Sequence, residues 1–164
     1  MKKRKIQKTN AIRLLEKEKI NYNVYEYAWN EDHSDAKTAA TSIDMPIDRV
    51  YKTLVTVGDK KGTIVACIPA EKELDLKALA KISGNKKVDM LPMKDLEKTT
   101  GYIRGGCSPI GMKKNFPTYV AISAELMDKI IVSAGKRGMQ IELTPSDLLY
   151  VTNAKTADIT ANHI

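Results

Sequence analysis

The sequence predicts an α+β domain built on a mixed, largely antiparallel sheet with surrounding helices. Three observations carry that reading. Short runs of β-branched and aromatic residues are joined by turns of hairpin length. Amphipathic helical segments fall irregularly among them, without the strand-by-strand alternation of a doubly wound sheet. A chain of 164 residues is also long enough for one core, burying roughly two thirds of its unfolded surface. No internal repeat or linker divides it, so the expected organisation is a basic tail over residues 1–9 and one domain over residues 10–164.

Asn10 is placed to cap a first helix reaching about Lys19, with Ala11, Leu14 and Leu15 on its apolar side and Glu16, Lys17 and Glu18 toward water. Tyr22, Val24 and Tyr27 open an extended segment. Asn30 to Asp35 reads as a polar loop, and Ser34 as the cap of a short alanine-rich helix that stops before Pro46. Tyr51 to Val57 and Thr63 to Ile68 form a hairpin of central strands around the turn residues Gly58 to Gly62. Asp75 caps a helix that buries Leu76, Leu79, Ala80 and Ile82 and stops at Gly84. Val88 to Met90 adds a short strand, and a polar helix follows Pro92 to about Lys98.

Tyr119 to Ile122, Ile130 to Ser133 and Met139 to Leu143 supply further strands, the last two separated by a loop over Gly135 to Gly138. Thr144 caps the final helix. Pro145 takes its first position, where a missing N–H costs nothing, and Asp147 reinforces the start.

Composition narrows the function. Hydrophobic residues at 43% and charged residues at 29% exclude a disordered or membrane-embedded chain. The longest apolar stretches, such as Thr63 to Ala70, fall far short of the roughly 20 residues of a membrane helix, and no apolar run follows the basic start as in a secretory signal. A cytoplasmic protein with no membrane partner is expected. Cys67 and Cys107 lie 40 positions apart without a CxxC pair, and the histidines are His33 and His163 alone. Neither a disulfide framework, a metal site nor a histidine triad is expected, and no cofactor motif is present. With 27 basic against 20 acidic side chains, the net charge of +7 favours anionic partners, nucleic acid among them. Lys2, Lys3, Arg4, Lys5 and Lys8 make an arm that either follows phosphates or merely solubilises the terminus.

Period-two alternation puts Lys52 on one strand face with Val50 and Leu54, and Thr53 on the other. A lysine there either snorkels to solvent or stands at a pocket wall to meet a phosphate or ribose. Gly101 to Gly111 holds four glycines and Pro109, marks of backbone-dominated geometry whose amides can converge on a developing oxyanion. Cys107 and Ser108 suggest a nucleophile, but no histidine stands near them in sequence to activate it. Lys113 and Lys114 either contact a nucleic-acid backbone or solvate the following strand.

Three segments in order, Val50-Tyr51-Lys52-Thr53-Leu54, Thr100-Gly101-Tyr102 leading into Gly105-Gly106-Cys107-Ser108-Pro109-Ile110-Gly111, and Lys136-Arg137-Gly138 before Ile141-Glu142-Leu143, resemble the YbaK family. These are free-standing Cys-tRNA(Pro) deacylases, relatives of the editing domain inserted into bacterial prolyl-tRNA synthetases, and the likeness runs almost end to end. The resemblance implies that Lys52 is the lysine tied to activity, that Gly105 and Pro109 belong to a GxxxP loop, and that Tyr27 and Ser133 line the substrate pocket. It makes Lys52, Gly105 and Gly106 the candidate catalytic groups, and Tyr27, Thr53, Ser108, Pro109, Ser133 and Gln140 the candidate substrate contacts. Lys113, Lys114, Lys136 and Arg137 become candidate tRNA contacts.

Gln140 stands where the family carries an aspartate, and Asp35 to Thr38 lacks the family's aromatic-glycine pair. The implied substrate is the acceptor end of Cys-tRNA(Pro) or Cys-tRNA(Cys), with prolyl-tRNA synthetase as a possible partner. In the implied mechanism the cysteine thiol attacks its own ester and leaves as a thiolactone. A hydrolytic editor of another tRNA such as Ala-tRNA(Pro), or a non-catalytic tRNA-binding module, are the alternatives.

Overall fold

The computed structural model describes residues 8–27 and 46–161. The expected Ser34-capped helix, the loop from Asn30, the segment Asp35 to Thr38, both histidines and Lys2 to Lys5 lie outside the described residues.

Helix α1 (Asn10–Lys17) is capped by Thr9 instead of Asn10, because Thr9 holds the extended backbone from which its hydroxyl accepts the Ile12 N–H at 3.2 Å. Ala11, Ile12 and Leu15 enter the core, while Leu14 is half-buried. The helix stops short of the expected boundary, and Lys19 turns into the left-handed region at φ 58°.

Two sheets follow, and the expected α+β fold is what forms. The smaller is antiparallel in the order β1-β7-β6, from β1 (Asn23–Glu26), β7 (Met139–Leu143) and β6 (Ile130–Lys136). The larger has the order β4-β2-β3-β5-β8. In it β2 (Tyr51–Gly58), β3 (Gly62–Pro69) and β4 (Val88–Met90) are antiparallel, while β5 (Thr118–Ala121) and β8 (Lys155–Ala157) pair in parallel beyond β3. The hairpin β2–β3 is central, as expected. Ile64 to Ile68 of β3 are all fully buried, which requires cover on both sheet faces. Burial of Ile64 or Ile68 contributes about 1.5–3 kcal/mol apiece. A parallel bridge between Val50 and Ile131 joins the two sheets.

Helix α2 (Leu76–Ser83) has the Asp75 cap and left-handed Gly84 stop that its sequence dictates. It buries Leu79 and Ala80, but Ile82 is 48% exposed, a correction to the expected apolar face. Ile82 stands in the last turn, two residues before the Gly84 stop. A 3₁₀ turn, Met93–Asp95, leads into α3 (Leu96–Thr100), and α4 (Pro145–Thr152) starts on Thr144, whose hydroxyl accepts the Asp147 N–H at 3.2 Å. The loop expected over Gly135 to Gly138 is shorter than that. Gly135, at φ 94°, sits in a β-bulge of β6, and only Arg137 and Gly138 form the turn. Among the described residues no helix is long and apolar enough to cross a membrane.

Candidate active site

Alternation along β7 divides the small sheet into two unlike faces. Met139, Ile141 and Leu143 join the main core with Ile130, Val132 and Ala134 of β6. The opposite face carries Gln140 and Glu142, which are polar yet only 6% and 8% exposed. Strand register sets Tyr25, Gln140 and Ser133 in one row across β1, β7 and β6, and Asn23, Glu142 and Ile131 in the next. Glu142 Oε1 accepts from Asn23 Nδ2 at 2.9 Å and from the Tyr25 hydroxyl at 3.4 Å. Burial, then the Glu142 charge, holds the Tyr25 phenol above its usual range. Gln140 is different: among the described residues its side-chain amide has no hydrogen-bond partner, an uncommon state for a group so buried.

Lys52 is half-buried on β2 opposite Ile68. The parallel Val50–Ile131 bridge brings the start of β2, which carries Lys52, alongside β6, the strand that carries Ser133. No ion-pair partner for Lys52 exists among the described residues. Thr53, one residue on, belongs to the other face, its hydroxyl 3.9 Å from the Cys67 sulfur, and stands apart from this row.

The glycine loop reaches the end of the same sheet. Ile103 to Gly106 is a turn in which the Gly106 N–H donates to the Ile103 carbonyl at 2.9 Å, with Gly105 at φ 84° where a side chain is strained. A Cβ on Gly106 would lie 2.9 Å from the Arg137 nitrogen and 3.2 Å from the Lys136 Cα. Glycine at 106 therefore lets the loop backbone pack on the β6–β7 turn, and its amide is already engaged. This corrects the expectation of Gly106 as an oxyanion donor. Among the described residues the N–H groups of Gly105, Cys107 and Ser108 have no acceptor. Arg137 Nε donates to the Arg104 carbonyl at 2.8 Å, and the Tyr27 N–H donates to the Gly138 carbonyl at 2.8 Å. Tyr27, Gly105, Gly106, Lys136 and Arg137 are thus drawn together.

Beneath the loop, the Tyr102 hydroxyl donates to the Ile110 carbonyl at 2.7 Å, and its ring lies against Gly135, where a Cβ would come within 2.7 Å of the ring edge. Ser108 is fully buried and its hydroxyl accepts the Ile110 N–H at 3.2 Å, so that hydroxyl shapes the loop; Pro109 is buried beside it. Burial pushes the Cys107 thiol up to about 11 and the Cys67 thiol up to about 12, far from a thiolate at neutral pH. Lys113 folds over Gly101, and its ammonium donates to the Lys98 carbonyl at 3.3 Å near the end of α3, where a cation is favoured. Lys114 stays exposed.

Asn23, Tyr25 and Glu142 were not among the sequence candidates. Period-two spacing from Tyr27 and Gln140 reaches Tyr25 and Glu142, so the pattern that would have found them was available.

The sequence model of the aminoacyl-tRNA editing domain family matches residues 30–150. Over 159 residues, 97% of each chain, the sequence is 62% identical to an Enterococcus faecalis protein, EbsC, named as a proposed Cys-tRNA(Pro)/Cys-tRNA(Cys) deacylase. It is 27% identical over 112 residues to the proline–tRNA ligase of a Sulfurihydrogenibium species, covering 68% of this chain and 19% of that enzyme. The fold matches a crystal structure described as a proposed trans-editing enzyme for prolyl tRNA synthetase, with a TM-score of 0.81 at 24% identity, over 93% of this chain and 96% of that one.

Proposed function

This chain belongs to the aminoacyl-tRNA editing domain family, and on that premise we propose that it is a free-standing deacylase that clears cysteine from mischarged tRNA(Pro), and from tRNA(Cys) as a second substrate. The observation that carries this reading is the buried Gln140 amide paired in register with Ser133, with Lys52 on the strand bridged to β6 and, at the sheet end, a loop whose amides at Gly105, Cys107 and Ser108 are unengaged among the described residues. Lys52 meets the terminal ribose or phosphate, Tyr27, Ser133 and Gln140 bound the amino-acid pocket, and the N–H groups of Gly105, Cys107 and Ser108 face the ester oxygen. Donors preorganised toward a developing oxyanion are worth about 10²–10³ in rate each.

The nucleophile belongs to the substrate. The cysteine sulfur forms a bond to the ester carbonyl carbon, and the carbon–oxygen bond to the ribose breaks as the thiol proton ends on the ribose oxygen. The products are a cyclic thiolactone and tRNA with a free hydroxyl. Well-oriented intramolecular attack reaches effective molarities of about 10⁵–10⁸ M, so positioning suffices and the reading calls for neither metal nor cofactor. The need for such a step follows from size: a pocket accepting proline rejects cysteine by only about 1–3 kcal/mol. Residues 10–164 form the acting unit, residues 1–9 a basic tail, and the partner is prolyl-tRNA synthetase in the cytoplasm.

Release from Cys-, Ser- and Ala-tRNA(Pro) tests the mechanism. Serine matches cysteine in size but lacks the thiol, so it should be much the poorer substrate; equal rates for all three would reject self-cyclisation. The Gln140 amide, unpartnered among the described residues, can instead orient a water, which favours a hydrolytic editor, and in that case alanine leaves at least as fast as cysteine.

A further inference from the structure

A groove of about 400 Å³ lies behind the glycine loop, between α1, the chain from Pro109 to Thr118 and the end of α4. Arg13, Lys17, Lys114 and Phe116 line it with Leu14 and Val151, and among the described residues no acidic side chain does. The three cations have no ion-pair partner among the described residues. Arg13 and Lys17 are four apart on one exposed face of α1, a like-charge pair that weakens a helix. The neighbouring carboxylate that could relieve them, Glu16, is instead taken by Lys8 at 2.8 Å and the Tyr22 hydroxyl at 3.0 Å. Charge has been gathered here and, among the described residues, left without a counterion.

Position gives the groove its meaning. Pro109 and Gly111 belong both to the groove wall and to the loop that begins at Gly105. The four steps from Gly105 to Pro109 span at most about 14 Å, a distance covered by about four stacked nucleotides at roughly 3.4 Å each. A cationic rim around an aromatic floor is how proteins hold single-stranded RNA, phosphates on the cations and a base on the ring.

We propose that this groove is a second RNA contact, which holds the unpaired acceptor strand just 5′ of the aminoacylated nucleotide, with phosphates on Arg13, Lys17 and Lys114 and a base against Phe116. It rests on the editing reading for the identity of the RNA, but its test does not require turnover. Fluorescence anisotropy of a labelled, uncharged tRNA over a salt titration compares wild type with the triple variant R13A/K17A/K114A and with Phe116→Ala. Each lost single-strand phosphate contact lowers the salt slope by about 0.7, so the triple variant should lose about 2 from the slope and at least about tenfold in affinity. Phe116→Ala should weaken binding about 5- to 150-fold with the slope unchanged. Cysteinyl-adenosine, which has no upstream RNA, should be deacylated by both variants at the wild-type rate.

Wild-type affinity and slope in both variants, or no measurable binding by the wild type, overturns the groove. If binding depends on these residues while the wild type releases no amino acid, the groove stands and the editing reading falls. If the variants bind and deacylate tRNA as the wild type does, the reverse holds.

Discussion

Two glycine-bearing loops in this molecule share a composition and differ in the fate of their polar groups. At the β2–β3 turn the buried Asn85 accepts the N–H groups of Lys60 and Lys61 at 2.9 and 2.8 Å and donates to the Ser83 hydroxyl at 2.8 Å. Gly58 is there because a Cβ would come within 2.4 Å of the Asn85 amide. Asp59 adds to the closure, accepting the N–H groups of Lys86 and Lys87 at 3.0 and 3.1 Å, and the Lys87 N–H foremost holds its carboxyl below the ordinary range. In the Gly101 to Gly111 loop the Gly106 amide is closed in the same way, on Ile103, but among the described residues those of Gly105, Cys107 and Ser108 find no acceptor. Glycine marks where backbone comes close to something; the donors left over indicate whether that something is the protein or a ligand.

The comparison breaks first at Lys52. Replacing it with alanine should lower kcat/KM for Cys-tRNA(Pro) by about 10²–10³, the scale of losing one preorganised charge contact, with thermal stability nearly unchanged because the side chain is only half-buried and unpaired among the described residues. Undiminished deacylation would remove Lys52 from the chemistry. Asn85→Ala should behave in the opposite sense. It leaves the Lys60 and Lys61 amides without their acceptor and should cost about 3 kcal/mol in urea unfolding, while kcat of the folded fraction stays at the wild-type value. A variant that loses activity without losing stability would mean that the turn is no mere clasp.

Local chemistry explains which parts of this architecture the sequence announces. The β2–β3 hairpin, the Asp75 and Gly84 ends of α2 and the Thr144-Pro145 start of α4 are each written in a few adjacent residues, and all are present. What adjacent residues cannot encode is pairing at a distance. Lys155 to Ala157 carries no strand signal, yet becomes β8 because β5 offers it a parallel edge. Thr9 and Asn10 are both good caps, and Thr9 takes the place with an extended backbone and a hydroxyl that also donates to the Ala134 carbonyl of distant β6. The role of Gly106 likewise turns on Arg137, brought against it from 31 residues away by the β6–β7 turn. Within the site, Lys52 was named from strand alternation and Ser133 and Gln140 from the family resemblance, but the pairing of Ser133 with Gln140 depends on the β6–β7 register, and the approach of the Lys52 strand on the Val50–Ile131 bridge.

Gln140 sharpens the contrast with the smallest expected effect. Asn85 and Gln140 are both buried amides, at 8% and 6% exposure, but the first makes three hydrogen bonds and the second has no partner among the described residues. Removing an unpartnered buried amide in favour of an apolar group of similar size leaves no donor or acceptor stranded, so Gln140→Leu should be neutral or slightly stabilising toward urea. If the amide is kept for substrate, the same variant should raise KM for Cys-tRNA(Pro) about 2- to 10-fold, the worth of one neutral hydrogen bond of roughly 0.5–1.5 kcal/mol. A stable protein with unchanged KM would show that the amide meets no part of the substrate, and a marked loss of stability would show that the resting protein already uses it. Only the combination of retained stability and weakened substrate binding assigns the polar row to the ligand.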